Sequence, residues 1–125
     1  FGGKRLAPGM SGGVTVVGLL ASVAGAIAVA APGALLVGTL PWQTVVIAVA
    51  TAGVLGGLAD SALGATVQAR RHCGACDRLT ERAVHDCGTR TTHARGLRWM
   101  TNDTVNLLAT LVGALVAPAL AALVP

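Results

Sequence analysis

Charge is scarce in this chain and unevenly placed. Only 11% of the 125 residues are Asp, Glu, Lys or Arg, less than half of the roughly 25% usual in soluble proteins. None lies between Leu6 and Ala59. Hydrophobic residues make up 54%, so a water-soluble domain is excluded and most of the chain must face lipid. Aromatics are rarer still, at 2%. With Trp99 the only one in the basic stretch, there is little surface on which bases could stack, so the +4 net charge is not read as a nucleic-acid signal. Cysteine is limited to three residues, an odd number that rules out a complete set of internal disulfides and favours reduced thiols or metal ligands. No cleavable signal with a basic start precedes the first apolar run, and the chain begins at Phe1. It is therefore expected to be the C-terminal part of a larger membrane protein.

What is present reads as an all-α, polytopic membrane helix bundle. Three apolar runs, about 14–31, 43–68 and 103–124, are each long enough for a span, and a hydrophilic loop, 69–101, separates the second from the third. Together they form a single membrane domain, 1–125. All nine Lys and Arg fall at Lys4 and Arg5 or between Arg70 and Arg98. Two crossings put both clusters on one side, which the positive-inside rule makes cytoplasmic, in the cell (inner) membrane. In the first span Ser11, Thr15, Gly18, Ser22 and Gly25 form a small-residue stripe that lets another helix approach closely. A homo-oligomer is among the expected partners. Pro32-Gly33 is expected to end this span, and Ser11 to cap its start.

The most informative stretch is Gly57-Leu-Ala-Asp60-Ser61-Ala-Leu-Gly64-Ala-Thr-Val-Gln68. Gly57, Asp60, Ser61, Gly64 and Gln68 recur every three or four residues, so they share one helix face. Asp60 is the first charge after Arg5, and a carboxylate at the end of a membrane span is costly unless it meets a cation, a metal or water. Gly53-x-x-x-Gly57 lies on the same side and directs that face into the bundle. Two further blocks have related chemistry. Gly9, Ser11, Gly12 and Gly13 make a glycine-rich turn into a helix, whose N–H groups suit a phosphate, with Lys4 and Arg5 as countercharge. Asn102, Asp103 and Asn106 open the third span; capping explains Asn102 or Asp103, but not Asn106 one turn in. With the three blocks at the same membrane face, oxygen ligands, backbone donors and Arg residues make a site for a Mg²⁺-bound polyphosphate, and the small-residue grooves suit an acyl or prenyl chain.

The loop holds a second set. Cys73-x-x-Cys76 can grip a metal through two thiolates, and His85-x-Cys87 supplies the other two ligands of a tetrahedral Zn²⁺ site, although that half is unusually tight. Free thiols are the alternative. A thioredoxin-like role lacks the strand and helix context around its Cys pair, and His93 reads as a solvated loop residue.

Pro8-Gly-Met-Ser-Gly-Gly13-Val-Thr-Val-Val-Gly18, Gly57-Leu-Ala-Asp60-Ser61-x-x-Gly64-Ala-x-x-Gln68 and Asn102-Asp103-x-x-Asn106 resemble, in order, the signature blocks of an integral membrane family. It contains transmembrane protein nineteen of animals and the phytyl-phosphate kinase of vitamin E synthesis. The resemblance covers nearly the whole chain and implies transfer of the terminal phosphate of CTP or ATP to an isoprenoid monophosphate. On that reading Asp60 and Asp103 hold Mg²⁺ and Gly9, Ser11, Gly12 and Gly13 cradle phosphate. Lys4, Arg5, Ser61, Gln68, Asn102 and Asn106 orient the substrate. Family members carry an upstream acidic motif that this chain lacks. Two other readings compete: a transporter or flippase with the Asp60 face as its polar pathway, and a structural subunit whose zinc loop docks a partner.

Overall fold

The computed structural model describes residues 10–123. Lys4, Arg5 and Gly9 lie outside them. Three long helices and one small sheet follow in order: α1 (Val16–Val37), α2 (Trp42–Thr66), β1 (Arg70–Cys73), β2 (Arg78–Thr80), β3 (Thr92–Arg95) and α3 (Asn102–Leu123). Each helix is long and apolar enough to cross a membrane: at about 1.5 Å per residue, even the shorter ones extend about 33 Å against a hydrocarbon core of roughly 30 Å.

The ends of α1 differ from the sequence expectation at both termini. Its cap is Thr15, whose hydroxyl accepts from the Gly18 N–H at 3.0 Å, because Ser11 is engaged elsewhere. Pro32 does not stop it; the helix continues to Val37 and closes on Gly38 in the left-handed conformation. An internal proline costs about 3 kcal/mol, whereas helix carbonyls exposed to lipid cost several kcal/mol each, so carrying the helix through is the cheaper outcome. Pro118 is accommodated inside α3 in the same way.

The chain divides into two compact units. Among the described residues one comprises 14–59 and 108–123. Its buried positions are mostly small, with Ala30, Ala48 and Ala52 at 3% exposure or less, while Leu35, Leu36 and Leu115 are exposed by 70% or more. Large side chains outward and small ones inward is the pattern of helices packed in lipid, where close backbone approach replaces a hydrophobic core. The glycine pair Gly53 and Gly57 faces α1: a Cβ on Gly53 would lie 3.0 Å from the Ala26 Cβ, and one on Gly57 would lie 4.0 Å from the Ser22 hydroxyl. Gly56 faces α3 instead, where a Cβ would meet the Ala109 carbonyl oxygen at 3.1 Å. At Gly53, Gly56 and Gly57 the expected small-residue groove is thus occupied by neighbouring helices, whereas nothing lies within 4 Å of a Cβ on Gly25 of the α1 stripe.

Among the described residues the other unit comprises 10–13 and 60–107. The hydrophilic stretch expected as a loop is folded here into an antiparallel sheet with strand order β2-β1-β3. Cys73 pairs with Arg78 to close the β1–β2 hairpin. On the other side Arg70 pairs with Arg95 and Arg71 with His93, a bulge that places an extra residue in β3. Arg71 ties the sheet to the following loop, donating from Nε to the Thr91 hydroxyl and from its terminal nitrogen to the Thr91 carbonyl, both at 2.7 Å. The return to α3 is fixed by Gly96 at φ 80, where a Cβ would overlap the Gln68 carbonyl oxygen. The Leu97 N–H donates to Val67 at 2.9 Å and the Ala69 N–H to Met100 at 2.8 Å. The end of α2 and the approach to α3 are thereby held side by side.

Candidate functional site

The second unit gathers residues from all three sequence blocks, in three separated stretches, 10–13, 60–68 and 102–106, whereas Gly57 and residues 14–18 belong to the first unit. Asp60 and Ser61 sit half-buried on the last turns of α2. Gln68, just past the helix, is 2% exposed. The glycine-rich segment lies against the same helix end. Gly12 has φ 92, and a Cβ there would fall 2.5 Å from the Ala65 nitrogen, while one on Gly64 would fall 3.0 Å from the Ser11 Cβ and 3.1 Å from the Gly12 nitrogen. Glycine at both positions is what allows backbone to lie directly on backbone.

Ser11 is the centre of a hydrogen-bond network that includes a residue absent from the sequence blocks. The Glu81 carboxylate accepts from the Ser11 N–H at 2.7 Å and from its hydroxyl at 2.8 Å. The Gln68 amide donates to the same carboxylate at 2.8 Å, and Arg70 donates to the Ser11 carbonyl at 3.2 Å. Two of the donors expected to cradle a phosphate are therefore already serving an internal anion. Gly13 is exposed beside them. Burial and the facing Arg95 lower the Arg70 pKa, and Glu81 opposes that shift. The Gln68 side-chain oxygen Oε1 and Arg70 Nε are buried without a hydrogen-bond partner, an unusual pair in a polar cluster this well connected. Glu81 lies 70 positions from Ser11 in sequence, and no local pattern marks it.

At the start of α3 the cap belongs to Thr101. Its hydroxyl accepts from the Thr104 N–H at 3.4 Å, and its carbonyl accepts from the Val105 N–H at 3.0 Å. Asn102 and Asp103 are thus left inside the first turn and exposed, with Asn106 exposed one turn later. Capping does not account for their side chains. An acid in the first turn is also favourably placed against the positive end of the helix dipole.

The loop ligands converge. One ligand atom from each of Cys73, Cys76, His85 and Cys87 lies within 4.8 Å of every other. Cys73 is buried, whereas Cys76 and Cys87 are exposed. Hydrogen bonding with the Thr89 hydroxyl first and with His85 second holds the Cys87 thiol down at about 5. Its bond to Cys87 pushes Cys76 up to about 11. His93, expected to be solvated, is half-buried in β3 and bonds the Gly96 carbonyl through Nε2 at 3.0 Å. His72 instead pairs with Asp77 at 2.8 Å.

No curated protein and no solved structure matches the chain. The profile described as integral membrane protein DUF92 matches residues 2–114, a span that includes the glycine-rich segment, the Asp60 helix, the ribbon and most of α3. Three membrane-length helices with outward-facing leucines agree with that description, and the chain belongs to the integral membrane protein DUF92 family.

Proposed function

We propose that this chain forms part of a membrane-embedded prenyl-phosphate kinase, transferring the terminal phosphate of CTP or ATP to an isoprenoid monophosphate. The observation that supports this reading is that one compact unit collects residues from each of the three blocks that resemble those of the phytyl-phosphate kinase. Asp60 and Asp103 are the Mg²⁺ ligands. Gly9, Gly12 and Gly13, with Lys4 and Arg5, receive phosphate. Ser61, Asn102 and Asn106 orient it, and Ser11 and Gln68 hold the glycine-rich segment in place through Glu81. Mg²⁺ would supply charge neutralisation across the transferring phosphate. The acceptor is already an anion near neutral pH, so positioning and charge neutralisation, rather than a general base, are what the reaction needs. The isoprenoid tail partitions into the bilayer while its phosphate stays at the interface. The seven Arg residues between Arg70 and Arg98 favour the cytoplasmic face of the inner membrane for this site.

The test is transfer of labelled phosphate from CTP or ATP to phytyl and geranylgeranyl monophosphate by the full-length protein in detergent. Asp60→Asn is expected to abolish turnover while leaving the protein folded. Turnover unchanged in that variant would remove the metal role. Uptake of substrate into vesicles without nucleotide would favour the transporter reading instead.

A further inference from the structure

We propose that Cys73, Cys76, His85 and Cys87 bind one Zn²⁺ ion in a closed tetrahedral site that holds the β-ribbon together. The proposal is independent of the kinase reading. It rests first on backbone construction. Two separate turns present the ligands in pairs. The β1–β2 hairpin ends β1 on Cys73 and carries Cys76 in the turn that follows, with Asp77 at φ 51 completing the reversal. In the second turn the His85 N–H donates to the Thr89 carbonyl at 2.9 Å and the Gly88 N–H to the His85 carbonyl at 2.8 Å. That tight turn is what allows His85 and Cys87, only two residues apart, to point at the same centre. The spacing that looked cramped in the sequence is thus met by the fold.

The distances fit a shared ion. Zn–S bonds of about 2.3 Å and Zn–N bonds of about 2.0 Å in a tetrahedron imply S···S separations near 3.8 Å and N···S separations near 3.5 Å. The Cys73 and Cys87 sulfurs lie 3.6 Å apart, and His85 Nδ1 lies 3.2 Å from the Cys87 sulfur. A disulfide would use two of the three sulfurs and leave the third thiol and the imidazole converging on it without a purpose. Four protein ligands leave no open position for water or substrate, which makes the site structural rather than catalytic.

The ribbon also needs such a staple. Its strands are three and four residues long. Leu79, Val84 and Leu97 are exposed. Strands this short cannot be held by apolar burial alone, and a structural zinc supplies folding free energy directly. Binding releases the protons still carried by the three thiols. The resulting cluster of one Zn²⁺ and three thiolates is anionic by one charge, and Arg78, paired across from Cys73, lies on the strand beside it.

The experiment is elemental analysis of the full-length protein, expressed with zinc available and purified in detergent without chelator, followed by replacement with Co²⁺. One zinc per chain is expected, together with the visible bands of tetrahedral cobalt and the charge-transfer absorption of thiolate ligands. Cys73→Ser and Cys87→Ser are expected to bring zinc to near none, while His93→Ala, outside the cluster, keeps one per chain. Should the Cys variants fail to fold, thiol titration of the wild-type chain decides: three thiols should react only after the metal is chelated away. Absence of zinc with a single reactive thiol, iron in place of zinc, or an octahedral cobalt spectrum would overturn the proposal.

Discussion

Glu81→Ala is the perturbation that most directly tests how the glycine-rich segment is held. The carboxylate accepts three hydrogen bonds, from the Ser11 N–H, the Ser11 hydroxyl and the Gln68 amide, at 2.7, 2.8 and 2.8 Å. Charge-assisted bonds contribute roughly 1.5–3 kcal/mol each where they are buried. These are part-buried and share one acceptor group, so they do not add, and water replaces some of what is lost. Gln68, however, is 2% exposed, and its amide would be left with only the longer 3.4 Å contact to Ser11. A local loss of about 2–4 kcal/mol follows, equivalent to at least about 30-fold faster opening at 1.4 kcal/mol per factor of ten. Hydrogen exchange at the Ser11 and Gly12 amides, read by mass spectrometry in detergent, measures it. Glu81→Gln should lose about half as much, because an amide keeps one acceptor but turns a donor toward the Ser11 N–H or the Gln68 amide. Exchange at Ser11 unchanged in Glu81→Ala would refute the assignment of Glu81 as the anchor of this segment.

Two further substitutions separate backbone geometry from side-chain chemistry. Gly96→Ala combines a φ of 80 with overlap of the Gln68 carbonyl, and a loss of at least about 2–4 kcal/mol in thermal stability is expected; Gly74→Ala, where nothing lies within 4 Å, serves as the neutral control, and equal melting temperatures for the two would contradict the close approach. Thr101→Ala should cost about 1 kcal/mol and accelerate exchange at the Thr104 and Val105 amides, whereas Asn102→Ala should not; the reverse result would move the cap to Asn102.

The parts of this molecule that were legible in the sequence are those governed by short-range periodicity. Apolar runs announce α1, α2 and α3, and Gly53-x-x-x-Gly57 announces the face that meets Ala26 and Ser22. Four ligands grouped as Cys73, Cys76 and His85, Cys87 announce a cluster before any strand is visible. At Pro32 a rule drawn from soluble helices meets a chain in lipid: the proline looks like a terminator in water but is carried through where no solvent exists to satisfy broken backbone bonds. Ser11 has the residue type of a cap, yet Thr15 takes that place because Glu81 engages both Ser11 donors. The strands β1, β2 and β3 were hidden for a different reason. Arg70-Arg-His-Cys73 and Arg78-Leu-Thr80 are too short and too polar to show alternation, and what pairs them is a hairpin closed at Cys73 and Arg78.

The position of β1 gives the hydrophilic ribbon a consequence for the glycine-rich segment. Gln68 and Arg70, which reach Ser11, stand on the chain leaving α2, and three residues beyond Arg70 comes Cys73, the buried member of the ligand cluster. Glu81 follows directly on β2, whose Thr80 pairs with Arg71. The carboxylate that holds Ser11 is therefore delivered by the same hairpin whose far end carries Cys73 and Cys76. Opening that hairpin at its cysteine end removes the register that places Glu81 opposite Gln68, whereas changes at Asp60 or Asp103 leave the register intact. Exchange at the Ser11 amide should accordingly rise in Cys73→Ser and remain at the wild-type value in Asp60→Asn, which separates the scaffold from the carboxylates it supports.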